Sequence, residues 1–263
     1  MVELEKNITR YSASDFIFLS FPKSGRTWIR YFIAKYIELE FQKEFTLEIE
    51  EINNIPRIIF SHNYFDTKQD IEEEPEIILQ NLLKQKEIFI VVRDPRDVAV
   101  SYYHQKVNRE ERLKKMDINE FVFSPIYGIE RQAKFVLKLL DLSKEHARSK
   151  LVVYENLLRQ PETYFYRIIY EIFKEVNNTN FYRALNESTF EKMKEYELTI
   201  SKQGVGDFSR IGKKNWNGDN NSLKVRRGKL NSYLSELTPE SIERLNKLPF
   251  TSQLIYQLAD IKS

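Results

Sequence analysis

The sequence predicts an α/β fold, a single three-layer domain with a central, mainly parallel sheet and a P-loop-like phosphate-binding turn. Three observations predict it. Short runs such as Phe16–Leu19, Ile88–Val92 and Leu151–Tyr154 are nearly continuous in apolar residues. That pattern suits strands buried on both faces of a parallel sheet. Between them lie stretches with apolar residues at helical spacing, the alternation of a βαβ architecture with right-handed crossovers. A glycine-containing turn, Ser20 to Trp28, follows the first run directly. Parallel sheets bind ligands there, outside the carboxyl ends of their strands.

Each element follows in order. Phe16–Leu19 is the first strand. Thr27–Glu40 sets Trp28, Ile29, Phe32, Ile33, Tyr36 and Ile37 at helical spacing. Arg57–Phe60 is a fourth candidate strand. The acidic run Glu72-Glu73-Glu74 reads as a charged helix start. Ile88–Val92 is another buried strand. Ile126–Glu145 repeats the helical pattern with Ile129, Ala133, Val136, Leu137 and Leu140. After the strand Leu151–Tyr154, Pro161–Val176 opens with proline, a favoured first-turn residue. The segment Lys202–Lys229 differs from the rest. It holds eight Lys or Arg against two acids, Asp207 and Asp219, and five of the chain's seven glycines. Long structureless segments in a folded domain are usually functional or disordered, so 202–229 reads as a cationic lid over an anionic ligand in preference to a plain solvated loop. One domain is expected over 1–263.

Composition narrows the function classes. The 263 residues include 41 Lys or Arg against 39 Asp or Glu, a net charge of +2. A uniformly basic nucleic-acid coat is not expected. Cysteine is absent, which excludes disulfides, thiolate metal sites and a cysteine nucleophile. With only His62, His104 and His146, a histidine metal cage is not expected, and no metal is assigned. The N-terminus lacks the pattern of a secretory signal, and no apolar run approaches a membrane span. The expected localisation is cytoplasmic.

The turn Pro22-Lys23-Ser24-Gly25-Arg26-Thr27-Trp28 carries the sharpest chemistry. Backbone N–H groups at a helix N-terminus favour an anion. Gly25 permits close approach, Lys23 adds a point charge, and Ser24 and Thr27 add hydroxyl donors. Trp28 offers its face to a base or packs in the core. An ATPase loop ends in Gly-Lys-Ser/Thr, whereas here lysine precedes the glycine and Arg26 follows it. A magnesium-dependent kinase-like phosphotransferase is therefore the weaker reading. A non-catalytic nucleotide-binding protein and a basic-loop polymer binder are further alternatives.

With these motifs in place, the sequence resembles the sulfotransferases that use 3′-phosphoadenosine-5′-phosphosulfate (PAPS) and release 3′,5′-adenosine bisphosphate (PAP). Their phosphate loop is close to PKSGTTW, and this chain has PKSGRTW. A second match runs from Val92-Arg93-Asp94-Pro95-Arg96-Asp97 to Ser101-Tyr102-Tyr103. A third is Arg226-Arg227-Gly228 in the basic segment, preferred over Arg210-Ile211-Gly212-Lys213 because the residues after it fit the family order. Supporting matches are Tyr154-Glu155, Ser188-Thr189-Phe190 and the strand ending at His62. The resemblance runs from about Asp15 to Glu240.

The resemblance implies roles. His62 becomes the general base and Lys23 the cation beside the leaving 5′-phosphate oxygen. Lys23, Ser24, Gly25, Arg26, Thr27 and Trp28 belong to the donor's binding loop. Arg93 and Ser101, with Arg226, Arg227 and Gly228, hold the 3′-phosphate. Tyr154, Ser188 and Phe190 lie near adenine. The acceptor is a hydroxyl or amine of a small molecule, glycan or lipid, with Tyr64, Phe65, Phe121, Phe123, Tyr127 and Gly128 as candidate wall residues. His104 and His146 read as structural or surface residues, and Asp94, Arg96 and Asp97 as local caps and ion pairs. Three departures from the family pattern stand out. Arg26 replaces a threonine, Phe60 stands where many members carry lysine, and Asn231-Ser232-Tyr233 replaces Gly-Asp-Trp. No family dimer motif is evident, so the oligomeric state stays open.

Overall fold

The computed structural model describes residues 8–62, 84–108, 110, 113–204, 210–212, 216 and 218–262. Among these, four strands pair: β1 (Phe16–Ser20), β2 (Ile58–Ser61), β3 (Glu87–Val92) and β4 (Ser149–Val153). All pairings are parallel, in the order β2-β1-β3-β4. The helices are α1 (Arg26–Phe41), α2 (Pro95–Val107), α3 (Ile118–Phe121), α4 (Ile129–Glu145) and α5 (Tyr154–Arg159). After them come α6 (Pro161–Phe173), α7 (Asn178–Glu187), α8 (Phe190–Gln203), α9 (Pro239–Asn246) and α10 (Pro249–Lys262).

Strand side chains alternate between faces, so each apolar run feeds two cores. Phe16, Phe18, Ile58, Phe60, Phe89, Val91 and Val152 face one way, against α1, α6 and α7. Ile17, Leu19, Ile59, Ile88, Ile90, Val92 and Val153 face the other, against α2, α4 and α10. This is the three-layer α/β arrangement the sequence predicts. Register sets Phe18 beside Phe60 on one side and Phe89 on the other. The three rings stack across the sheet, with centroids 4.7 Å and 4.5 Å apart. Truncating such a buried ring to alanine costs about 3–5 kcal/mol.

The element boundaries differ from expectation in places with local causes. Tyr154 opens α5 instead of ending β4. The helix expected from Ile126 starts at Ile129, because Gly128 N–H bonds back to Ser124 O at 2.7 Å and closes a turn. The helix expected to reach Val176 stops at Phe173, where Lys174 takes a left-handed φ of 65°. Glu72–Glu74 lie outside the described residues.

The strand order fixes where a ligand binds. From β1 the chain passes through α1 to β2 on one side, then returns to β3 on the other. That reversal opens a crevice beyond the carboxyl ends of β1 and β3. The segments leaving those ends begin at Phe21 and Arg93.

Candidate functional site

The turn after β1 is built around two left-handed residues. Lys23 has φ 72° and Gly25 has φ 98°. Gly25 caps α1 with no side-chain bond, so no side chain occupies the helix N-terminus as an acceptor. A side chain at Gly25 is excluded by the Tyr154 ring. An added Cβ would lie 2.3 Å from Tyr154 Cδ2. Trp28 turns the other way from Arg26. Its indole N–H donates to Ser188 O at 2.8 Å, and its ring meets Tyr154 edge-on at 6.3 Å. It also packs on Phe165 in the core, which bears out the packing reading of Trp28.

His62 follows β2 directly, beside Ser20 at the end of β1. Nδ1 lies 2.9 Å from Ser20 O, which can only accept. Nδ1 therefore carries the proton, and Nε2 presents its lone pair. The Arg26 guanidinium donates to that lone pair. Burial, then the Arg26 charge, then Arg30 and Lys224, lower the His62 pKa well below its ordinary 6.5, against the opposing Ser20 hydrogen bond. The ring is thus a neutral imidazole with a defined basic nitrogen.

Beyond β3, Arg93 bridges the two sides of the crevice. It donates to Lys23 O and to Lys229 O, each at 3.3 Å, and its guanidinium lies 4.5 Å from the Tyr154 ring centre. Ser101 lies two turns into α2, with Gln105 one turn further, and both line the cavity. Asp97 is more than a local ion-pair partner. Buried, it accepts from Asn231 N–H at 2.8 Å, Ser232 Oγ at 3.0 Å and Tyr233 N–H at 3.3 Å, and sits 3.6 Å from Arg93. The residues that replace Gly-Asp-Trp are tied to α2 in this way.

The described part of the basic segment is pinned by two carboxylates. Glu197 of α8, fully buried, accepts from Gly212 N–H, Lys224 N–H and Val225 N–H at 3.2, 2.7 and 2.7 Å. Glu236 pairs with Arg226 and Arg227, each at 3.0 Å, and with His104. Burial opposes ionisation of Glu236, yet the bonds from His104 and Arg226 win and hold its pKa below the usual value. His104 therefore has a structural partner, Glu236, just beyond the basic segment. Gly228 lies against Phe190, where an added Cβ would meet the ring at 2.4 Å. Lys23 Nζ reaches Lys224 O at 3.5 Å.

These segments enclose a cavity of about 370 Å³. Among the expected residues, Lys23, Gly25, Arg26, Thr27, Trp28 and His62 line it. So do Arg93, Ser101, Tyr154, Phe190 and the stretch Arg226 to Gly228. Two expected residues do not. Ser24 and Ser188 are buried behind the wall, each with a hydroxyl that has no hydrogen-bond partner among the described residues. Ser188 instead meets Trp28 through its carbonyl. Phe121, Phe123, Tyr127 and Gly128 also lie off the cavity wall. Phe121 and Tyr127 stack at 5.5 Å in the core, and Arg244 covers Phe123. Tyr64 and Phe65 lie outside the described residues.

Sequence reasoning missed Arg30, Leu158, Met193, Lys224 and Lys229 on the wall. Arg30 lies one turn after Arg26 on α1, but its place on the wall depends on Phe60, a distant residue of β2. The rival arginine, Arg210, also lines the cavity, held by Glu48 at 2.7 Å and Glu50 at 2.9 Å. Among the described lining residues, nine are Lys or Arg and none is Asp or Glu. Such a wall is built for a polyanion.

The sulfotransferase domain profile matches residues 13–253. Among solved structures, a mouse sulfotransferase complexed with PAP is 16% identical, with a TM-score of 0.59 over 97% of this chain and 94% of that one. Retinol dehydratase in complex with androsterone and inactive cofactor PAP is also 16% identical, with a TM-score of 0.62 over 97% of this chain and 84% of that one. No curated protein matches the chain by sequence. The structural likeness establishes the fold, and the profile spans the phosphate loop, His62, Arg93 and the basic segment. The chain belongs to the sulfotransferase domain family.

Proposed function

We propose that the protein transfers a sulfuryl group from PAPS to an acceptor hydroxyl of a small molecule, glycan or lipid. One observation carries the reading. The phosphate loop, Arg93, the Arg226–Gly228 stretch and a neutral histidine meet in one cavity with no acid among its described wall residues. The donor's chemistry fits what is left unsatisfied there. Arg93 Nε and Arg226 Nη1 are buried without hydrogen-bond partners among the described residues. Buried donors of this kind are costly unless a ligand completes them.

When bound, PAPS supplies the activated sulfuryl group. Lys23, Thr27 and the loop N–H groups would hold its 5′-phosphate, with Ser24 behind them. Arg93, Ser101, Arg226, Arg227 and Gly228 would hold the 3′-phosphate. Trp28, Tyr154 and Phe190 would form the adenine walls, with Ser188 fixing Trp28. The acceptor's O–H proton passes to His62 Nε2, once Arg26 yields that nitrogen. The bond from Nδ1 to Ser20 O steadies the ring as it gains charge. Lys23 provides the preorganised cation near the leaving oxygen, an effect worth about 3–4 kcal/mol in comparable sites.

The test is calorimetric titration with PAP, AMP and ATP, followed by transfer assays with labelled PAPS. PAP is expected to bind far more tightly than AMP. Arg93→Ala is expected to erase that preference, and His62→Ala to abolish transfer while keeping PAP affinity. Equal affinity for PAP and AMP would refute the reading.

A further inference from the structure

Arg30 is the residue the donor does not account for. Its side chain is buried, with 6% of the residue exposed, yet it lines the cavity. It makes no hydrogen bond or ion pair among the described residues, and its Nε is unsatisfied. Its guanidinium lies on the Phe60 ring, 4.4 Å from the centre, on a ring whose neighbour is Phe18. Burial first, then the nearby Arg210, push its pKa down to about 10. A buried cation without a partner is destabilising, so its presence asks for an anion.

Among the described residues, the surrounding charges do not supply one. Glu48 and Glu50 are the nearest carboxylates by their electrostatic effect on Arg30. Both are already bound, Glu48 by Arg210 and Glu50 by Arg10 and Arg210. Among the described residues, three guanidinium groups thus face two carboxylates, and one positive charge is left over.

The position points to the acceptor side. Trp28 and Arg30 straddle α1. Trp28 faces Tyr154 and Ser188, whereas Arg26 and Arg30 lie one turn apart on the face toward His62 and Phe60. Arg30 also acts on the His62 charge balance. The anion it awaits therefore sits beside the basic nitrogen, away from the proposed adenine wall.

We propose that the acceptor is anionic, carrying a carboxylate or similar oxyanion near the hydroxyl that is modified, and that Arg30 binds that group. The proposal rests on the sulfotransferase reading and names its substrate class. A planar fork of donors suits a carboxylate, and the Phe60 ring holds the fork flat. Arg26 is the second cation on this face, and engaging the anion is what draws it off His62 Nε2.

The test uses the PAP-saturated full chain and two matched pairs of probes. They are 4-hydroxyphenylacetate against its amide, and 4-nitrophenyl glucuronide against 4-nitrophenyl glucoside. Binding is measured by calorimetry for wild type, Arg30→Gln and Arg30→Lys, and transfer from labelled PAPS is measured beside it. Wild type is expected to prefer at least one acid over its neutral partner by more than tenfold. Arg30→Gln should erase the preference, Arg30→Lys should restore part of it, and PAP affinity should stay within twofold throughout. Arg30→Gln also removes an uncompensated buried cation, so its thermal midpoint should not fall. Equal binding of acid and neutral partners, including no measurable binding of either, overturns the proposal. So does a tenfold loss of PAP affinity in Arg30→Gln with the preference intact, which assigns Arg30 to the donor. Wild type that fails to bind PAP at all refutes the sulfotransferase reading itself.

Discussion

Replacing Gly25 with alanine tests the phosphate loop most directly. The backbone there has φ 98°, a region that costs an L-residue about 1–2 kcal/mol. The new methyl would also stand 2.3 Å from Tyr154 Cδ2 and 2.7 Å from Cε2, so the ring must move. Tyr154 is only 7% exposed, and Arg93 and Trp28 pack against it. Overpacking of a held ring costs roughly 1–3 kcal/mol more. The expected total is about 2–5 kcal/mol, a large share of the ~5–15 kcal/mol that holds a domain together. Urea unfolding followed by tryptophan fluorescence measures it, and calorimetry measures the accompanying loss of PAP affinity. Gly204→Ala is the control, because Gly204 has φ 68° with nothing within 4 Å. It should lose only the backbone part and leave PAP binding unchanged. In Gly25→Ala/Tyr154→Ala the steric part should disappear. The reasoning fails if Gly25→Ala costs no more than Gly204→Ala, or if removing the ring brings no relief.

Because the His62 pKa is lowered in the fold, kcat/KM should stay on its plateau as pH falls through 6.5, and an acid limb at or above 6.5 would contradict the geometry. The same shift links to stability. The unfolded chain takes up the proton first, so this contribution is complete above 6.5 and is lost as pH falls toward the folded pKa. Arg26→Thr removes a charge that lowers the pKa, so the acid limb of the variant should move to higher pH. Glu197→Gln should leave a buried N–H group without its acceptor, costing about 1–3 kcal/mol locally. Hydrogen exchange should then quicken around Leu223–Arg226 while β1 and β3 stay protected. Asp97→Ala should weaken PAP binding and loosen Asn231–Tyr233, read by the same exchange experiment, since it removes an acceptor that serves three groups there.

Much of this arrangement was readable before the structure because it is local. Four apolar runs became four strands, since a parallel strand buried on both faces has no polar positions to hide it. The phosphate loop announced itself through residue types that only a strand-to-helix turn needs. What could not be read depends on distant partners. Arg30 looks like an exposed helix position until Phe60 is brought against it. Ser24 and Ser188 match the family order by spacing, but spacing does not say which way a hydroxyl points. Asp97 and Glu197 were unremarkable acids in sequence, because their partners lie 134 and 28 residues downstream. Phe121 and Tyr127 read equally as wall or core, and stacking on each other decided for the core.

The bridging position of Arg93 has a consequence for how the protein assembles. Its two carbonyl partners, Lys23 and Lys229, come from opposite ends of the chain. The nucleotide cavity therefore has no partial form. The strands and their helices can pair early, but the donor finds a complete site only after the last described lysine of the basic segment has docked. Nucleotide should then leave the rate of folding nearly unchanged and slow unfolding instead, acting on contacts formed after the transition state.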